Sequence, residues 1–224
     1  LAALADDGNH NVQAEAITGL AQLRGHASDA LYVSALNSTG HQVIMAAASA
    51  LTGSRGVSVP PALLDALDRL TAAKRENTRD ARMAILTRVQ ELGSMALAAR
   101  IEPYLFDFDS TVARKAAAML GGWSGQAAMA FPAALPIREE PLARVFASTE
   151  IQLRITMSPS SGGGVILITL FPDEAPATVA RLVRLARAQY FDGLSIHRIV
   201  PNFVIQGGSC LLYTSPSPRD VEES

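Results

Sequence analysis

The sequence predicts a multidomain α + β chain, in which an α-helical repeat solenoid is followed by a β-rich unit of four strands and one helix. Two observations carry this prediction. Apolar sets recur at helical spacing, Val12/Ala16/Leu20, Val43/Ala47/Leu51, Ala81/Ile85/Val89 and Val112/Ala116/Leu120, offset by 31, 38 and 31 residues. After Glu150 the helical period gives way to strand alternation, beginning with Ile151, Leu153 and Ile155. With 224 residues, 49% hydrophobic and 18% charged, the chain can build one large or two small domains.

Residues 1–121 form the predicted helical part. Each apolar set reads as the second helix of a repeated pair, opened by Asn9, Ser38-Thr39, Asn77-Thr78 or Asp109-Ser110. Partner helices are expected over 27–36, 61–70 and 95–105, with 1–5 as the tail of another. Pro60-Pro61 suits a helix start, where the missing N–H loses no helical bond. The period, the small residues at close approach, and the stretches 109–117 and 9–16 resemble HEAT or armadillo repeats. That resemblance implies stacked pairs with an exposed curved face and a protein partner on it. An alanine-rich helical bundle is the alternative. His10, His26 and His41 lie apart without a carboxylate cluster and read as solvated. Lys74-Arg75-Glu76 reads as a solvated loop, and Asn37-Ser38-Thr39 fits both a glycosylation acceptor and a helix cap.

Residues 122–150 read as a linker. The pattern loosens after Gly121-Gly122 through Pro132, Pro136 and Pro141, and Trp123, Phe131 and Phe146 can pack on either neighbour. Next come a strand over 151–156, a turn over 158–164 and a buried strand over 165–171. Gly162-Gly163-Gly164 lacks the Lys-Ser/Thr ending of a phosphate loop and leads into a strand, so a hairpin turn is expected. Pro172 and Pro176 break the chain before a helix over 177–190, which carries Val179, Leu182, Val183 and Leu185 at helical spacing. Two short strands follow, around 195–200 and 203–206.

The order of Pro172-Asp173-Glu174-Ala175-Pro176, helix, Tyr190-Phe191-Asp192-Gly193, His197-Arg198, Pro201-Asn202-Phe203 and Gln206-Gly207-Gly208 is similar to the N-terminal half of bacterial cyclophilin-type peptidyl-prolyl isomerases. The resemblance covers 151–208 and implies a truncated half of an eight-stranded β-barrel. Carried over residue by residue, it assigns the catalytic arginine to Arg198, the proline-pocket phenylalanine to Phe203 and the substrate-amide glutamine to Gln206. His197 matches the histidine before that arginine, as a binding-site neighbour with a local structural part. The implied substrates are proline-containing peptides or unfolded protein clients, with no cofactor and no metal.

The chemistry of these residue types agrees. Rotation about a peptide bond faces a barrier of roughly 18–20 kcal/mol, because the C–N bond has partial double-bond character. In the twisted amide the prolyl nitrogen gains lone-pair character and can accept a hydrogen bond. A guanidinium donates there without being consumed and stays charged at any working pH, which is stabilisation of a transition state by a preorganised donor. A phenyl ring offers an apolar floor for the proline, and a glutamine both donates to and accepts from a peptide backbone. Arg198 and Gln206 are an even eight residues apart, which permits a shared face, although Pro201 interrupts any continuous strand.

Other classes are disfavoured. A net charge of −2 gives no electrostatic reason for a nucleic-acid partner, and no apolar run approaches the roughly 20 residues of a membrane span. One cysteine, Cys210, excludes an internal disulfide framework. Residues 209–224 look non-native, with Ser209 where an Asp is usual, and the Leu1 start suggests a fragment lacking its N-terminus, from the cytoplasm or a bacterial periplasm. The 224-residue chain is therefore expected to be an inactive piece of an isomerase. The rival reading is a non-catalytic interaction scaffold with a degenerate proline-peptide-binding module, and a third is that no stable fold forms after residue 150.

Overall fold

A computed structural model describes residues 1–93, 95–135 and 150–208. Its front part is helical. The recurring helices are α1 (His10–Arg24), α3 (His41–Ala50), α5 (Arg79–Leu92) and α7 (Ser110–Ser124), and their first residues are 31, 38 and 31 apart, the offsets of the apolar sets. Between them run α2 (Asp29–Ala35), α4 (Val59–Ala72) and the short α6 (Ala98–Ile101). In one layer α1 packs on α3, α3 on α5 and α5 on α7, while α2 and α4 pack on each other and against α3 and α5 respectively.

The predicted stripes face the shared core. Ala16, Leu20, Val43, Ala47, Leu51, Ala81, Ile85, Val89, Val112, Ala116 and Leu120 are all buried, and Val12 is half-buried. Polar links join neighbouring helices: Gln42 Nε2 donates to Asn11 Oδ1 at 3.3 Å, and Arg79 Nε donates to Asp109 Oδ2 at 2.5 Å. Gly40 shows why the layers can close. A Cβ there would sit 2.5 Å from His10 Cγ, so the start of α3 touches the start of α1 only because the side chain is absent.

Two of the four predicted caps form. Asn9 Oδ1 accepts from the Asn11 N–H, and Asp109 Oδ1 accepts from those of Thr111 and Val112. The Asp109 carboxyl would be raised by burial alone, but the Arg79 hydrogen bond and charge, with the two N–H donors, hold it below its ordinary 3.8. A carboxyl depressed on folding contributes stability that is present above its unfolded pKa and is lost as pH falls through the folded one. Asp109→Ala should therefore cost about 1–2 kcal/mol at neutral pH. Urea denaturation at pH 7 and at pH 3 should show that deficit shrinking in acid.

The other two starts differ. Gly40 is the cap residue of α3, with Ser38 Oγ accepting from its N–H, and residues 76–78 wind into a 3₁₀ turn without a side-chain cap. The expected helix over 95–105 is broken into a 3₁₀ turn at Met95–Leu97, α6, and a 3₁₀ stretch at Glu102–Phe106, since Pro103 cannot continue an α-helical ladder. Helix α7 runs on to Ser124, ending at Gly125 in the left-handed region, so Gly121-Gly122 lie inside it. Trp123 packs against the core, Phe131 N–H donates to Leu105 O, and the Phe106 and Phe131 rings stack at 5.7 Å. Phe146, Pro136 and Pro141 lie outside the described residues.

The histidines are not uniformly solvated. His26 is exposed beside Asp29, but His41 is half-buried with Nδ1 enclosed and without a partner among the described residues. Burial, then the charges of Arg75, Arg69 and His10, push its imidazole below 6.5. A histidine whose folded pKa is depressed takes up its proton more readily in the unfolded state, so stability falls as pH drops below about 6.5. His41→Gln should flatten thermal stability between pH 7 and pH 5 relative to the parent chain, which a melting series would record.

The β-rich unit holds two antiparallel hairpins and a helix. Strands β1 (Ile151–Thr156) and β2 (Val165–Leu170) pair from Ile151/Leu170 to Thr156/Val165. The glycine triplet closes the turn with positive φ at all three positions, as a hairpin and not a phosphate cradle. Helix α8 (Pro176–Arg187) buries Val179, and β3 (Ser195–Val200) pairs with β4 (Val204–Gly208). The two hairpins are separate two-stranded sheets. Strand β2 is not buried as expected: Val165, Ile166, Leu167 and Ile168 are all exposed, because among the described residues no second layer covers this two-stranded sheet. Of Lys74-Arg75-Glu76, Lys74 and Glu76 are exposed as expected, but Arg75 is half-buried and, with the adjoining Asn77, bonds to the turn after α8.

Candidate functional site

The β3–β4 hairpin collects the predicted residues. Its turn follows from sequence: Pro201 sets φ for the first central position, Asn202 takes φ +59° at the second, and Phe203 N–H donates to Val200 O at 3.1 Å. Pairing then runs Val200/Val204, Ile199/Ile205 and Arg198/Gln206. Arg198 and Gln206 thus stand directly opposite each other, and Arg198 Nη1 donates to Gln206 Oε1 at 2.9 Å. Both are exposed, on the face they share with Val200 and Val204.

His197 is the extra residue of a bulge. Ile196 pairs with Gly207 and Arg198 with Gln206, leaving His197 unpaired between them. Its side chain is half-buried, with Nδ1 enclosed and lacking a partner among the described residues. Gly207 lets the strands meet there, as a Cβ would come within 3.2 Å of Ile196 Cγ1 and Ser195 O. Even spacing anticipates a shared face for Arg198 and Gln206 but not this bulge. The Gly207-Gly208 pair was the available signal, because glycine inside a strand marks a bulge or a close approach.

Phe203 sits at the turn, 77% exposed, and no described aromatic ring stacks on it. The structure therefore joins Arg198 to Gln206 without enclosing Phe203 in a pocket. A cavity of about 390 Å³ does exist, but it is lined by helical-part residues including Asp68, Thr71, Tyr104 and Phe108, and by none from the hairpin. There burial and then the Asp68 carboxylate, which accepts from the Tyr104 hydroxyl, raise the phenol above its ordinary range. Among the described residues no group of three or more His, Cys, Asp or Glu side chains could hold a metal ion. No helix among them is long and apolar enough to cross a membrane.

Comparison with known proteins agrees with the hairpin's motif. The model of the cyclophilin type peptidyl-prolyl cis-trans isomerase/CLD family matches residues 154–223. Peptidyl-prolyl cis-trans isomerase B of Bacillus subtilis (strain 168) is 48% identical over 46 residues, 20% of this chain and 32% of that protein. Peptidyl-prolyl cis-trans isomerase ppi1 of Schizosaccharomyces pombe is 49% identical over 45 residues, 20% of this chain and 29% of the relative. A peptidyl-prolyl cis-trans isomerase of Synechococcus elongatus is 44% identical over 45 residues, covering 20% and 31%. The chain thus spans about a third or less of the length of these relatives. No solved structure matches it. The match to the cyclophilin-type peptidyl-prolyl cis-trans isomerase family model thus falls on residues 154–223, behind a helical N-terminal region.

Proposed function

We propose that the protein carrying these residues is a peptidyl-prolyl cis-trans isomerase acting on proline-containing peptides or unfolded chains. The observation that carries the reading is the cross-strand Arg198–Gln206 pair, set in a segment of the isomerase family. Arg198 would donate to the prolyl nitrogen as the amide twists, stabilising a state in which that nitrogen is pyramidal and basic. Gln206 would orient the guanidinium through Oε1 while its Nε2 binds a substrate carbonyl. Phe203 would form the floor under the proline ring, and His197, locked into the bulge, would set the direction of Arg198 without transferring a proton.

The β-rich unit is read as half of a barrel and the helical part as a repeat solenoid that binds a protein partner. Exposure of Phe203 and of β2 supports the further reading that the 224 residues alone turn over little substrate, since among the described residues nothing walls the proline site. The same exposure is what favours the second reading, a non-catalytic proline-peptide reader on a helical scaffold. A protease-coupled proline-isomerisation assay on the whole gene product decides between them. Activity that falls on Arg198→Ala is expected; equal rates for parent and variant would overturn the assignment.

A further inference from the structure

The turn after α8 is held by the helical part of the chain. Arg75 Nη2 donates to Gln189 O at 2.6 Å and to Asp192 O at 3.1 Å. Asn77 Nδ2 donates to Tyr190 O at 2.7 Å and to Asp192 O at 3.0 Å. Two side chains thus satisfy three main-chain carbonyls. Asn77 is buried, 4% exposed, and Arg75 is half-buried, so neither is a solvated surface group.

The turn is shaped to present those oxygens. Tyr190 N–H donates to Leu185 O and Gln189 N–H to Ala186 O, with Gln189 at φ +57°, the arrangement that closes a helix through a left-handed residue. Gly193, at φ +75°, then bends the chain again, with Leu194 N–H donating to Phe191 O. The carbonyls beyond the last helical turn have no helical donors, and the C-terminal end of a helix favours a cation. Arg75 supplies that cation and Asn77 a neutral donor beside it.

A second contact lies at the start of α1. Asn9 Nδ2 donates to Ser161 Oγ at 3.5 Å, and Gly8 lies against Ser160, whose Cβ is 3.3 Å from where a Gly8 Cβ would stand. The starts of α1, α3 and α5 form one edge: His10 reaches Thr39, and His41 feels the charges of both His10 and Arg75. Both hairpin-side contacts therefore fall on the same edge of the helical part.

We propose that this edge is a docking surface for the β-rich unit of the same chain, with Arg75 and Asn77 as a clasp on the turn that ends α8. The proposal goes beyond the isomerase reading and holds whether or not the unit catalyses. It makes the helical part a fixed support for the Arg198–Gln206 hairpin in place of a tether. Recognition is of backbone oxygens, so the clasp depends on Arg75 and Asn77 and is indifferent to the side chain at Asp192.

Hydrogen–deuterium exchange on the 224-residue chain tests this, with peptides covering 185–194 and 79–92 followed separately. Arg75→Ala should speed exchange in 185–194 about tenfold, the loss of a charge-assisted hydrogen bond to a carbonyl, and leave 79–92 protected. Asp192→Asn should change neither peptide. The double variant with Asn77→Ala should release 185–194 further; should it also loosen the helical part, the single Arg75→Ala variant, at a half-buried position, decides. Exchange in 185–194 that is identical in the parent and Arg75→Ala, with 79–92 protected in both, would overturn the docking. Isomerase rates are not read in this experiment, so its failure is distinct from failure of the catalytic assignment.

Discussion

Arg82→Ala is expected to lower the unfolding free energy of the helical region by about 3–5 kcal/mol, the cost of leaving a buried charge without its partner. Arg82 and Asp107 are both fully buried, and Arg82 Nη1 donates to the two Asp107 carboxylate oxygens at 2.8 and 2.7 Å. The guanidinium lies 4.3 Å from the centre of the Phe108 ring, which adds a desolvated cation–π contact. Among the described residues its Nε and Nη2 have no hydrogen-bond partner, so there the pair is not a saturated network. Asp107 also accepts from the Asp109 N–H at 2.7 Å, tying the pair to the start of α7. Alanine would lose the ion pair and the ring contact and would leave the buried carboxylate only the Asp109 N–H. Against a total stability of about 5–15 kcal/mol for a domain of this kind, much of the margin would go. The midpoint of urea denaturation followed by circular dichroism at 222 nm measures it. A double replacement, Arg82→Met with Asp107→Leu, should be milder than the single change, because it removes the charges together.

Arg198→Ala in the whole gene product is expected to lower kcat/KM for proline isomerisation by about 100-fold to 1000-fold, the usual cost of one preorganised donor to a transition state. The effect should fall on kcat more than on KM, since the prolyl nitrogen accepts strongly only when the amide is twisted. Gln206→Ala should also reduce the rate. Because Gln206 Oε1 accepts from Arg198 Nη1, the double variant should lose less than the two single losses combined. Additive losses would mean that the pair acts independently on the substrate. Neither change should move the melting temperature of the helical part, whose core contains no residue of the hairpin.

Local pattern carries far in this chain. Four helices start at the spacing of the apolar sets because a 3.6-residue period buries one face, β1 has the ends its two-residue alternation gives, and β3 lies where a strand was expected. Even spacing allowed a shared face for Arg198 and Gln206, but that the turn at Pro201-Asn202 sets them directly opposite each other was read only from the pairing. The bulge at His197 was not, since periodicity cannot say which residue a strand leaves unpaired. Nor was the end of the 95–105 segment as separate turns, although Pro103 stood in it as a warning.

By itself, then, the sequence determined the period of the helical part, the switch to strands after Glu150, and the residue types offered by the Arg198, Phe203 and Gln206 motif. Tertiary structure alone decided which of these groups meet. It turned Arg75, read as a loop residue, and Asn77, read as a helix start, into partners of carbonyls more than a hundred positions away, and left β2 exposed where an apolar run promised burial and Phe203 exposed where the resemblance implied a pocket. The physical reason is that periodicity encodes which face of an element is apolar. Whether that face, or a stranded carbonyl, finds a partner depends on what the rest of the chain brings to it in space.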